Sequence, residues 1–116
     1  MCRQLLPRFA SAGISVDLID MRTLDLPGID YDTIGESLGR TGALVIAEEA
    51  AASQSIGSAL AASVSERCFE SLDAPVTRVT SLDIPLPVSR VLERETMISD
   101  EKIFHVASAV ARRTRP

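Results

Sequence analysis

The apolar run at residues 43–47 (ALVIA), near the middle of the chain, constrains the fold more than any other feature of the sequence. A run that is apolar at every position is typical of a β-strand covered on both faces, as in a parallel sheet. Two further runs predict strands. Residues 14–19 (ISVDLI) place Val16 and Leu18 on one face, and residues 76–80 (VTRVT) are half polar, as expected nearer a sheet edge.

Helical patterns lie before, between and after the three predicted strands. Asp30 or Asp32 can cap a helix that ends in the glycine-rich residues 39–42, and Asp100 can cap the last helix. Apolar positions repeat at helical spacing in four segments: Leu5, Leu6, Phe9 and Ala10; Ile34 and Leu38; Ile56, Leu60 and Val64; Ile103, Val106, Ala107 and Val110. Strands that alternate with helices predict an α/β fold. Its three layers are expected to be α/β/α, with a mainly parallel sheet as the middle layer. Residues 81–89, which contain two prolines, are expected to form a surface arm without a helix.

Composition limits the classes of function. The length of 116 residues is near the usual domain size, so residues 1–116 are predicted to form one domain. A formal net charge of −4 argues against a nucleic-acid partner. No apolar run approaches the roughly 20 residues of a membrane-spanning helix, so a membrane role is not expected. Cys2 and Cys68 are too few for a disulfide framework, which favours a reducing, cytoplasmic setting.

The pair Glu48-Glu49 is the most informative polar feature. It follows the central apolar run, and ligands of open α/β sheets gather at the carboxyl ends of strands. Neighbouring strand residues point to opposite faces, so the two carboxylates do not form a catalytic dyad, and an interface or a solvated strand end is favoured. A competing hypothesis is a free-standing module that binds a small anion around residues 48–57, where a helix begins. No catalytic, cofactor-binding or metal-ligating residue is assigned.

These segments, in this order, resemble the C-terminal domain of the beta subunit of thiamine-diphosphate-dependent 2-oxoacid dehydrogenases, a domain of the transketolase C-terminal type. The resemblance rests on residues 13–24 (GISVDLIDMRTL), 30–42 (DYDTIGESLGRTG), 43–49 (ALVIAEE), 56–62 (IGSALAA), 69–79 (FESLDAPVTRV) and 82–87 (LDIPLP). The sequence departs from the family pattern in a longer loop at residues 25–29, in Gln54 and Ser55 where many relatives have glycines, and in Ala59 where an acid is usual.

The resemblance implies a role in subunit assembly. It implies that the domain completes the dimer contact and helps to dock the dehydrogenase onto the lipoyl acyltransferase core. Thiamine diphosphate, magnesium and substrate are then handled by the pyrimidine-binding domain and the alpha subunit, and this chain alone is expected to bind no cofactor and to be inactive. The implied substrate of the intact enzyme is pyruvate or a branched-chain 2-oxoacid, while acetoin cleavage and ketol transfer stay open. The candidate interface residues are Glu48, Glu49, Gln54, Gly57, Asp83, Pro85 and Pro87.

The resemblance also bears on the start of the chain. Residues 1–13 look like the first helix of the family's domain entered part-way, so the chain is expected to be a fragment of a longer beta subunit. The family's sheet order would place a further strand between residues 14–19 and residues 43–47. Without that strand, either the two runs pair directly or a second chain supplies the contact, and self-association or dependence on a partner subunit is expected.

Overall fold

The computed structural model describes residues 1–114, in which helices surround a sheet of two parallel strands. The helices are α1 (Cys2–Ser11), α2 (Tyr31–Thr41), α3 (Ile56–Arg67), α4 (Arg90–Thr96) and α5 (Asp100–Ala111). The strands are β1 (Val45–Ala51) and β2 (Thr77–Ser81), and short 3₁₀ turns occur at Leu26–Gly28 and Phe69–Ser71. Of the helices in this described part of the chain, none is long and apolar enough to cross a membrane.

Helices cover both faces of the sheet, which confirms the predicted α/β class. One core, on the side of α1 and α5, consists of Leu5, Phe9, Val79, Ile98 and Ile103. The other core, on the side of α2 and α3, consists of Ile29, Ile34, Leu38, Leu60 and Val64. Successive residues near the start of β1 alternate between the two: Val45 and Ala47 pack against the first core, and Leu44 and Ile46 pack against the second. The apolar run at residues 43–47 is therefore covered on both faces, as predicted.

Local hydrogen bonds fix both ends of α2. The Asp30 carboxylate accepts the Thr33 N–H at 3.0 Å and the Thr33 hydroxyl at 2.6 Å, so Asp30 rather than Asp32 is the cap. At the other end, Gly42 has a φ of 72° and donates its N–H to the Leu38 carbonyl at 2.8 Å. The left-handed conformation explains why a glycine ends this helix.

The prediction that Asp100 caps the last helix is wrong by one residue. The Ser99 hydroxyl oxygen accepts the Lys102 N–H at 3.2 Å, and Asp100 is the first helical residue. The Ser99 hydroxyl satisfies a free backbone N–H at the start of α5. The carboxylates of Asp100 and Glu101 in the first turn interact favourably with the positive end of the helix dipole.

The prediction of a strand at residues 14–19 is wrong. Residues 14–20 have no regular secondary structure, and within residues 1–114 the backbone groups of residues 15–20 make no backbone hydrogen bond. A strand needs a neighbour to pair its N–H and C=O groups, and this segment does not close on β1. It is attached to α2 instead, because Asp17 accepts hydrogen bonds from the Ser37 hydroxyl and the Arg40 guanidinium, each at 2.9 Å.

The surface arm predicted at residues 81–89 is confirmed from residue 82 onward, since Ser81 is the last residue of β2, and a short helix follows that the sequence did not predict. Residues 82–89 contain neither helix nor strand, and α4 begins at Arg90. The Leu82 N–H donates to the Thr96 carbonyl at 2.7 Å, so the start of the arm is tied to the end of α4. The start of this surface segment is therefore held against α4.

Candidate functional site

Glu48 lies where β1 meets the beginning of α3. It is on the same face of β1 as Leu44 and Ile46, and this face packs against α2 and α3. In the neighbouring strand Arg78 lies opposite Ile46, which brings its guanidinium to the same place. Glu48 and Glu49 lie inside β1 rather than after it, at a point where the register between the two strands is interrupted.

The Glu48 carboxylate is held by three donors. It pairs with the Arg78 guanidinium at 3.0 Å, accepts the Ser55 hydroxyl at 2.7 Å and accepts the Gly57 N–H at 3.1 Å. The Glu48 side chain is only 14% exposed and the Arg78 side chain 22%, so this ion pair is largely removed from water. A buried charge of this kind is tolerated only when it is paired and hydrogen-bonded, which is the arrangement found here.

Arg78 also connects this cluster to the turn before α3. Its guanidinium donates to the Ala52 carbonyl at 2.9 Å and to the Ser55 hydroxyl oxygen at 2.6 Å. The two strands and the start of α3 are therefore joined by one network of charge-assisted hydrogen bonds. We call Glu48, Ser55, Gly57 and Arg78 the Glu48 cluster.

Gly57 is buried, and the space beside it is filled by Glu48. A Cβ at this position would lie 2.8 Å from Oε2 of Glu48 and closer still to Oε1. The positive end of the α3 dipole thus faces the chain's own carboxylate. An external anion at this helix start would have to displace the Glu48 carboxylate. Glu48 therefore occupies the space that the anion-binding hypothesis requires.

The other candidate residues lie around this cluster, on the surface. Glu49 is exposed, and its carbonyl accepts the Ser81 hydroxyl at 2.7 Å. Gln54 is exposed and donates its N–H to the Ala51 carbonyl in the turn before α3, at 3.2 Å. The opposite orientations predicted for Glu48 and Glu49 are confirmed by burial of the first and exposure of the second.

The arm passes beside this turn. The Ser53 hydroxyl donates to the Asp83 carboxylate at 2.7 Å, which ties the arm to the segment between β1 and α3. Pro85 is exposed and Pro87 is half-buried. Asp83 therefore lies beside the turn that contains Gln54, whereas the Glu48 side chain and Gly57 are shielded from solvent.

Large apolar side chains are concentrated on the arm and the first turn of α4. We call this surface the apolar arm; its exposed apolar residues are Leu82, Ile84, Leu86, Val88, Val91 and Leu92. Val88 has no contact that shields it, with a relative exposure of 102%, and Leu86 is 65% exposed. A concentration of large exposed apolar side chains in one short segment of a folded domain suits a protein interaction site.

The described residues do not fit a metal-bound diphosphate. Within residues 1–114, no group of three or more His, Cys, Asp and Glu side chains is placed to hold a metal ion. His105 is exposed on α5, and Cys68 is half-buried against the core beside α2 and α3.

Sequence reasoning missed Arg78 and Ser55 as partners of Glu48. One signal was available: Arg78 interrupts a β-branched run, and a charged residue on a strand covered by helices needs a buried counter-charge. That this counter-charge is Glu48 could not be derived from the sequence, because the pairing depends on the register between β1 and β2.

Comparison with known proteins gives one family model and several relatives. The model described as "Transketolase, C-terminal domain" matches residues 1–103. The chain is 35% identical over 114 residues to the mitochondrial pyruvate dehydrogenase E1 component subunit beta of Dictyostelium discoideum, a match that covers 98% of this chain and 32% of that protein. It is 45% identical over 92 residues to the mitochondrial 2-oxoisovalerate dehydrogenase subunit beta 2 of Arabidopsis thaliana, covering 79% of this chain and 25% of that protein.

A third relative has a different named substrate. The chain is 36% identical over 99 residues to the acetoin:2,6-dichlorophenolindophenol oxidoreductase subunit beta of Bacillus subtilis (strain 168), covering 85% of this chain and 28% of that protein. The chain thus spans between a quarter and a third of the length of these curated relatives.

Proposed function

This chain belongs to the transketolase C-terminal domain family, and from that premise we propose that it is the interface-forming, non-catalytic domain of a 2-oxoacid dehydrogenase beta subunit. In this proposal the domain contributes to dimer assembly and to docking on the lipoyl acyltransferase core. The similar proteins named as pyruvate and 2-oxoisovalerate dehydrogenase beta subunits support the assignment to this enzyme class.

The observation that carries the proposal is the apolar arm. Its apolar side chains are exposed, and its first two residues are held by the Leu82–Thr96 hydrogen bond and the Ser53–Asp83 contact. Burial of apolar area favours association by roughly 25 cal/mol per Å² before the entropic costs of association are subtracted. An arm of this kind suits a stable subunit contact.

The substrate and cofactor are proposed for the intact enzyme only. Pyruvate and branched-chain 2-oxoacids are both supported by the relatives, and the relative named for acetoin keeps acetoin cleavage open. Thiamine diphosphate and magnesium are assigned to the remainder of the enzyme, with the alpha subunit as a partner. A cytoplasmic location is also proposed, since both cysteines are free thiols, which suits a reducing compartment.

The competing proposal, a free-standing module for a small anion, is less well supported. It placed the ligand around residues 48–57, where the α3 start faces Glu48 and where Arg78 is already paired. A negative ligand there would meet the carboxylate that the cluster already holds.

Binding to subunits of the complex tests the proposed function. The chain is titrated against the immobilised alpha subunit and against the immobilised acyltransferase core of the dehydrogenase from the same organism. Saturable binding to at least one of them is expected. Val88→Asp, which places a charge on the apolar arm, should weaken that binding about tenfold or more, because the charge would be desolvated in the contact.

Phe69→Asp is the matched control. Phe69 is 75% exposed but follows α3 at the end opposite the arm, so its replacement should leave the affinity within about twofold. Equal loss of binding in the two variants, or no binding by the unaltered chain, would count against an interface at the arm.

A further inference from the structure

The base of the apolar arm is fixed by hydrogen bonds, whereas the backbone of the rest of the arm is not. The Leu82 N–H donates to the Thr96 carbonyl at 2.7 Å, and the Asp83 carboxylate accepts the Ser53 hydroxyl at 2.7 Å. Beyond them, residues 84–88 make no backbone hydrogen bond within the described part of the chain. The direction of the arm therefore depends on how its first two residues are held.

The turn that carries Ser53 follows an interruption of the sheet. Ala47 lies opposite Val79 and Ala51 lies opposite Ser81, so β1 advances four residues where β2 advances two. Extra residues of this kind make a strand bend and re-aim its side chains. The irregular stretch ends at the turn that contains Ser53, beside the point where the chain leaves β2 for the arm.

Arg78 fixes this turn from inside the domain. Its guanidinium donates to the Ala52 carbonyl at 2.9 Å and to the Ser55 hydroxyl oxygen at 2.6 Å, on either side of Ser53. The Arg78 side chain is largely buried and is paired with Glu48. Charge-assisted hydrogen bonds are stronger than neutral ones, and shielding from water strengthens them further. Ser53 thus lies in a turn whose two ends are held by a buried charge.

We propose that Ser53 positions the apolar arm for its partner, and that the buried Glu48 cluster acts on the arm through Ser53. The cluster holds the turn, Ser53 holds Asp83, and Asp83 sets the direction of the exposed side chains that follow. A loosely held arm would have to be ordered on binding, and this entropic cost lowers affinity. The inference rests on the proposed function in its last step, because it takes the arm as the docking surface.

The first measurement needs no partner. NMR relaxation, at a concentration where the chain is monomeric, gives order parameters for the Asp83 and Ile84 amides. Ser53→Ala is expected to lower them from the range of a rigid backbone, about 0.85, toward that of a flexible one, below about 0.6. Ser53→Thr keeps a hydroxyl and should preserve them. The matched control is Ser11→Ala, which removes an exposed hydroxyl bond on α1 and should leave the arm unchanged.

A variant inside the cluster tests the second half of the proposal. Ser55→Ala removes an acceptor of Arg78 and a donor to Glu48 but leaves the Ser53 hydroxyl in place. It should lower the order parameters of the Ser53 and Asp83 amides together. Unchanged values at both amides would mean that the cluster does not hold the arm.

The second measurement uses the partner subunit that binds the unaltered chain. Ser53→Ala should weaken this binding about three- to tenfold, as loss of one hydrogen bond to a carboxylate does. Ser53→Thr and Ser11→Ala should bind within about twofold of the unaltered chain.

Three results would overturn the positioning role of Ser53. The first is unchanged order at Asp83 and Ile84 in Ser53→Ala. The second is an equal decrease in Ser11→Ala, which would indicate a general loss of structure. The third is full affinity of Ser53→Ala for the partner although its arm is loosened. No binding by the unaltered chain would instead count against the proposed function, and the relaxation measurements would still decide whether Ser53 holds the arm.

Discussion

Glu48 links three elements through one carboxylate. It pairs with Arg78 of β2, caps the beginning of α3 through the Gly57 N–H and accepts the Ser55 hydroxyl. Residue 57, which faces this carboxylate, must be glycine, because a Cβ there would overlap Glu48. The opposite orientations of Glu48 and Glu49 follow from strand geometry alone, but the burial of Glu48 depends on β2 and α3 and could not be derived from its own segment.

Replacing Gly57 by alanine tests this dependence. Alanine favours a helix over glycine by up to about 1 kcal/mol, but its Cβ would displace the Glu48 carboxylate from its donors. We expect a net loss of about 1–3 kcal/mol in the free energy of unfolding, measured by urea denaturation. The matched variant is Gly39→Ala in α2, where the Cβ would contact nothing within 4 Å, and it should stabilise the chain. A stabilising effect of Gly57→Ala would contradict the described packing.

At the scale of elements, the segment at residues 14–20 shows why a strand cannot be predicted from its own pattern. Its apolar alternation is suitable, and Ile14 and Ile19 pack against opposite cores. It remains irregular because no strand lies beside it. The α4 helix was missed for a different reason: it is only seven residues long and has no side-chain cap, so its stability depends on tertiary contacts such as those of buried Thr96.

The attachment of this segment to α2 predicts a pH dependence. The Ser37 hydroxyl and the Arg40 guanidinium lower the pKa of Asp17 below its ordinary value. A carboxyl group whose pKa is lower in the folded chain stabilises the fold above its unfolded pKa, about 3.9. That stabilisation is lost as the pH falls through the lowered folded pKa.

Asp17→Asn is therefore expected to lower the denaturation midpoint at pH 7, with a difference from the unaltered chain that shrinks as the pH falls below about 4. Glu66→Gln, an exposed replacement on α3, controls for the loss of one negative charge. A midpoint difference for Asp17→Asn that is constant from pH 7 down to pH 3 would show that its carboxylate does not hold the segment.

At the scale of the whole molecule, the sequence was sufficient for the layered arrangement and the family, since apolar periodicity and several family segments agree over most of the chain. It was not sufficient for the extent of the sheet. Strand pairing is a long-range property, so a run with a suitable apolar pattern can remain without a neighbouring strand, as residues 14–20 do. The apolar arm was predicted as a surface segment, but its exposure is a property of the folded domain.

Sedimentation equilibrium of the isolated chain tests most directly the central claim that this domain forms an interface through its arm. Over about a hundredfold range of concentration, the average mass of the unaltered chain should rise above that of a monomer, because association follows mass action. The double variant Leu86→Asp/Val88→Asp should remain monomeric, while Phe69→Asp should associate like the unaltered chain. A single monomeric mass for the unaltered chain throughout, or association of the double variant equal to that of the unaltered chain, would contradict the account.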